Sequence, residues 1–139
     1  MDAELYALAG RVGDALKARK LMLATAESCT GGWVGQAVTM VPGSSHWFDR
    51  GFVTYTNDAK REMLGVRPET LKKFGAVSEQ TVREMTKGAL SHSKAHVALA
   101  VSGIAFDRSM HNGLGVMFDD VLAAFYALLC LAGWKFFLG

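Results

Sequence analysis

Five consecutive apolar residues, Val97-Ala98-Leu99-Ala100-Val101, constrain this chain more than any other feature. A run with no polar position cannot keep one face in water, so it reads as a strand covered on both sides, the setting of a central parallel strand. Leu21-Met22-Leu23-Ala24-Thr25 is a second short apolar run, and Phe52-Val53-Thr54-Tyr55-Thr56 has the β-branched and aromatic content of a third. Between the runs the apolar period changes. Leu5, Leu8, Ala9, Val12 and Leu16 recur at helical spacing, and Lys17, Arg19 and Lys20 follow where the negative end of a helix dipole favours them. Trp33, Val34, Ala37 and Val38 supply the stripe of a second helix, and Pro42-Gly43-Ser44-Ser45 a turn. Asn57 is expected to cap a helix beginning at Asp58, a short helix is expected over 69–74 after Pro68, and Ser78 is expected to cap one running through Val82, Met85 and Leu90. Strands alternating with helices predict an α/β layered sheet with helices on both faces.

With 139 residues, the chain is long enough for one domain with a real core. Half of the residues are hydrophobic and a fifth charged, which excludes a disordered, collagen-like or disulfide-stapled chain. A net charge of +2 without a clustered basic run gives no nucleic-acid partner. Cys29 and Cys130 lack metal-type spacing and fit a reducing compartment. The acidic start, Met1-Asp2-Ala3-Glu4, is unlike a signal peptide, so the cytoplasm is the expected location.

In such a sheet, chemistry gathers beyond the carboxyl ends of the strands, here near residues 25–32, 55–60 and 101–105. Ser28 lies between a predicted strand and a glycine-rich helix start, where free N–H groups can hold a phosphate or an oxyanion. A serine hydroxyl needs a base. Lys60 qualifies if burial and a helix N-terminus lower its pKa, and Tyr55 is placed to relay a proton or orient the amine. Each residue also has a plainer reading: Ser28 as a helix cap, Lys60 as a solvated first-turn lysine, Tyr55 as strand packing. Cys29 could be the nucleophile but reads better as small core filler. His92 and His96 would share a helix face, yet without a third ligand they read as a solvated pair.

Taken in order, Ala26-Glu27-Ser28-Cys29-Thr30-Gly31-Gly32, Pro42-Gly43-Ser44-Ser45, Gly51-Phe52-Val53-Thr54-Tyr55-Thr56-Asn57-Asp58-Ala59-Lys60, Gly75-Ala76-Val77-Ser78-Glu79 and Val101-Ser102-Gly103-Ile104-Ala105 resemble the CinA C-terminal-domain family. The resemblance implies a nicotinamide-nucleotide amidohydrolase, which turns nicotinamide mononucleotide (NMN) into nicotinate mononucleotide and ammonia. It implies Ser28 as nucleophile, Lys60 as general base and Tyr55 as its helper. Thr30, Gly31, Ser102 and Gly103 would then border a small nucleotide substrate, with no metal and no organic cofactor.

After Ala105 the chain departs from the family's pattern. Phe106-Asp107-Arg108 stands where the family has Gly-Pro, and the arginine-bearing segment has no counterpart. The expected organisation is a family domain over 1–105 and a non-family segment over 106–139. In that segment an apolar helix over 121–138 would replace the family's last strands. Lys135 within it argues against a membrane span, and so broad an apolar face could drive homo-oligomerisation. Losing those strands would leave a sheet edge unpaired unless the apolar segment covers it. The rival to an amidohydrolase is a truncated or frameshifted relative, catalytically impaired and acting only through self-association.

Overall fold

A computed structural model describes residues 2–103 and the backbone of the strand at 126–131. Four strands, β1 (Leu23–Glu27), β2 (Phe48–Val53), β3 (Val97–Ser102) and β4 (Tyr126–Leu131), form one sheet in the order β2-β1-β3-β4. β1 pairs in parallel with β2 and β3, with Glu27 opposite both Val53 and Val101. The carboxyl ends of three strands therefore open side by side.

Side-chain alternation along the strands divides the interior into two cores. Ala24, Ala26, Ala98 and Ala100 meet Leu64, Val66, Val82, Met85 and Ala89, from the side of the sheet built by α3 (Asn57–Leu64), α4 (Pro68–Phe74) and α5 (Glu79–Ser91). Leu23 and Val97 face the other way, onto Trp47, Val38 and Leu16 beneath α1 (Ala3–Arg19) and α2 (Trp33–Thr39). Helices cover both faces, as the alternation of elements predicted. The strand alanines let α5 come close, and at Gly88 the helix passes so near the Leu64 carbonyl that a Cβ has no room.

Local signals are mostly where the sequence put them. Pro68 opens α4, and the Ser78 hydroxyl accepts from the Thr81 N–H to cap α5. The cap of α3 is Thr56, one residue before the expected Asn57, because its hydroxyl accepts from the Ala59 N–H. β2 covers Phe48–Val53 rather than the expected 52–56: an edge strand tolerates Asp49 and Arg50, and residues 54–56 already lead into the cap of α3. In α1 only part of the predicted stripe is covered: Ala9, Gly13 and Leu16 are buried, while Leu8 and Val12 are exposed.

The larger correction concerns the C-terminal segment. Tyr126–Leu131, expected within an apolar helix, is strand β4, antiparallel to β3 with Val97 opposite Leu131. A short apolar run does not distinguish a buried strand from a helix. Here the unpaired edge of β3 decides, because its N–H and C=O groups gain partners only from an extended neighbour. The rest of the expected segment over 106–139 lies outside the described residues. No described helix is long and apolar enough to cross a membrane.

Candidate active site

Alternation fixes the direction of each side chain at the end of β1. Glu27 faces the α2 layer, and Ser28, one residue on, faces α3. The Ser28 N–H donates to the Val101 carbonyl (3.0 Å), and the Thr54 N–H to the Glu27 carbonyl (2.8 Å), so both neighbouring strands hold the tip of β1. Residues 28–32 then turn, with Gly31 and Gly32 at φ of 61° and 104°. That left-handed backbone strains any residue with a side chain and suits glycine.

Lys60 reaches this tip from the first turn of α3. Its side chain is 1% exposed. Nζ lies 3.0 Å from Ser28 Oγ, 2.9 Å from the Thr54 carbonyl and 3.0 Å from the Tyr55 carbonyl. Burial pushes the Lys60 ammonium below its usual value of 10.5, with the neighbouring Cys29 sulfur acting in the opposite sense. As an ammonium, Lys60 donates to all three partners. As a neutral amine it still serves both carbonyls, and its lone pair faces the one partner able to donate, the serine hydroxyl.

Two of the three plainer readings are therefore set aside: Gly32, not Ser28, caps α2, and Lys60 is not solvated. Tyr55 meets the amine through its main-chain carbonyl, while its side chain is 63% exposed beyond β2. Ser102, at the end of β3, is buried and donates to the Ala76 carbonyl at 2.8 Å, and Gly103 follows it. Cys29 belongs to neither core and is half-buried, with its thiol raised above the ordinary 9.0 by burial, a neutral form ill suited to attack. His92 and His96 do not share a helix face, because α5 ends at Ser91; the His96 ring accepts from the Met22 N–H. Among the described residues no cluster of side chains could hold a metal ion.

The expected donors at the helix start are partly occupied. The Val34 and Gly35 N–H groups bind the Glu27 carboxylate at 2.8 and 2.9 Å, and the Gly31 N–H binds the Ser28 carbonyl. Thr30 turns its hydroxyl onto Glu27 at 2.7 Å. The N–H groups of Cys29 and Thr30 make no hydrogen bond to a described residue. Glu27 is 1% exposed, and the sequence alone assigns it no role. An acidic residue ending an apolar run, followed by threonine and glycines at the start of a helix, becomes informative once its burial is known.

Fold and site together define an α/β domain with a buried serine–lysine pair at the carboxyl ends of its three parallel strands. The sequence model of the CinA C-terminal domain matches residues 5–116. The chain belongs to that family. It is 58% identical over 104 residues to the nicotinamide-nucleotide amidohydrolase PncC of Escherichia coli K12, covering 75% of this chain and 63% of that protein. A crystal structure of competence/damage inducible protein CihA from Agrobacterium tumefaciens superposes with a TM-score of 0.73 at 54% identity, over 75% of this chain and 63% of the other. The competence damage-inducible protein A of Klebsiella pneumoniae gives 0.73 at 42% identity, over 78% and 68%. The chain thus spans a little under two thirds of the length of the curated PncC relatives it matches.

Proposed function

We propose that the domain hydrolyses the carboxamide of nicotinamide mononucleotide through Ser28 and Lys60. The observation that carries this reading is the 3.0 Å contact between Lys60 Nζ and Ser28 Oγ inside the protein, with the amine's other partners fixed as two main-chain carbonyls. Similarity to PncC proteins supports the choice of substrate.

In this mechanism neutral Lys60 takes the proton of Ser28 as Oγ forms a bond to the carboxamide carbon. The oxyanion that develops is held by the Cys29 and Thr30 N–H groups, which replace the occupied donors deeper in α2. Lys60 passes its proton to the leaving nitrogen, the C–N bond breaks, ammonia departs and an ester remains on Ser28. Lys60 then takes a proton from water as the water oxygen attacks the ester. Returning that proton to Ser28 Oγ releases nicotinate mononucleotide. Gly31, Ser102 and Gly103 border the substrate, with the Ser102 hydroxyl bracing the wall through Ala76. Tyr55 contributes the carbonyl that orients Lys60.

Ammonia release from NMN, measured with the wild-type chain, Ser28→Ala and Lys60→Ala, is the test. Loss of release in both variants supports the mechanism; equal rates in all three remove it.

A further inference from the structure

A carboxylate excluded from water is costly unless donors surround it. Glu27 meets this requirement without an ion pair among the described residues, since none of their salt bridges includes it. Oε1 accepts from the Thr30 hydroxyl and the Val34 N–H, and Oε2 from the Gly35 N–H. All three donors lie just beyond Ser28 in the chain. The carboxylate thus closes residues 28–35 into a loop against its own strand. Because Glu27 and Ser28 are consecutive and point to opposite faces, a hold on Glu27 from the α2 side sets the backbone from which Ser28 projects towards Lys60.

We propose that Glu27 is the positioning residue of this site: its carboxylate, through Thr30, Val34 and Gly35, keeps Ser28 Oγ within hydrogen-bond distance of Lys60 Nζ. This rests on the amidohydrolase reading for its kinetic consequence, though not for its geometric one. Glutamine has the same shape but sets an amide N–H₂ against at least one of these donors. Glu27→Gln therefore loosens the turn that carries Ser28 and its neighbouring N–H groups, while Ser102 and Gly103 at the end of β3 stay in place.

The experiment compares wild type, Glu27→Gln, Thr30→Val and Thr30→Ser by NMN kinetics per folded molecule and by crystal structures. In Glu27→Gln, kcat is expected to fall about a hundredfold, the scale of a misplacement of ~1 Å, with KM kept within about twofold. The distance from Ser28 Oγ to Lys60 Nζ opens beyond about 3.5 Å. Thr30→Val is expected to lose about tenfold in kcat, the scale of one hydrogen bond, and Thr30→Ser, which keeps the hydroxyl, to recover it. A lowered melting temperature with unchanged kcat per folded molecule overturns the proposal, as does a fall in kcat with the distance kept. A rise in KM alone also overturns it. Should Glu27→Gln fail to fold, the two Thr30 variants decide by the same readings. If the wild type releases no ammonia from NMN, the amidohydrolase reading falls, and the distance in the variants still judges Glu27.

Discussion

The tip of β1 and the first turn of α3 each bury one charged side chain, and the two are arranged as opposites. Glu27 has two main-chain N–H groups and a threonine hydroxyl; Lys60 has two main-chain carbonyls and a serine hydroxyl. Glu27's partners belong to the segment that follows it, so the residue on the rigid strand does the holding. Lys60 is held instead, by the strand end and loop that precede its own helix. A nitrogen with three partners has no idle position. Removing one proton leaves a lone pair directed at Ser28, whereas the main-chain donors around Glu27 suit an anion. One buried charge fixes geometry, and the other is free to exchange a proton.

The largest effects break the pair on the lysine side. Ser28→Ala and Lys60→Met are each expected to lower kcat for NMN by about a thousandfold or more, as when one member of a nucleophile–base unit is removed. Circular dichroism of both variants should remain native. The next expectation concerns pH. Only the neutral amine can accept the serine proton, so kcat/KM for NMN should rise with pH through a midpoint below the usual lysine value of 10.5. The same shift links to stability. Between the lowered folded pKa and 10.5 the unfolded chain binds more protons, so stability should rise with pH in that window. Urea titrations across that range should show the slope in wild type and lose it in Lys60→Met.

Gly13 sharpens the contrast from a distance. A Cβ there would lie 2.5 Å from Trp47 Cε2, an aromatic ring with no exposure. Gly13→Ala should destabilise by about 1–3 kcal/mol through overpacking, offset in part by better helix propensity. Its kcat for NMN, per folded molecule, should match wild type. The smallest effect belongs to Tyr55→Phe. The phenol has no hydrogen bond among the described residues and the carbonyl is retained, so kcat should change less than about tenfold, the ceiling for one exposed hydrogen bond.

Much of this was legible in the chain. Apolar runs marked the strands, since a parallel strand covered on both faces has no polar side to show. Pro68 and Ser78 marked helix starts through local bonding that needs no distant partner. Ser28, Lys60 and Tyr55 stand out by their places at strand ends and helix starts, and the family resemblance gives them their roles; spacing does not join them. Glu27 stayed hidden because an acidic residue at a strand end is ordinary until its burial is known.

The sequence by itself determined most elements before residue 104, the two-sided covering of the sheet and which groups could react, because these follow from side-chain period and from chemistry carried by single residues. Tertiary structure alone decided that the amine of Lys60 meets Ser28, that Tyr55 reaches that amine through its carbonyl, and that Tyr126–Leu131 is extended. Those outcomes depend on partners distant in the chain, on desolvation and on an open β3 edge, and no local pattern encodes them.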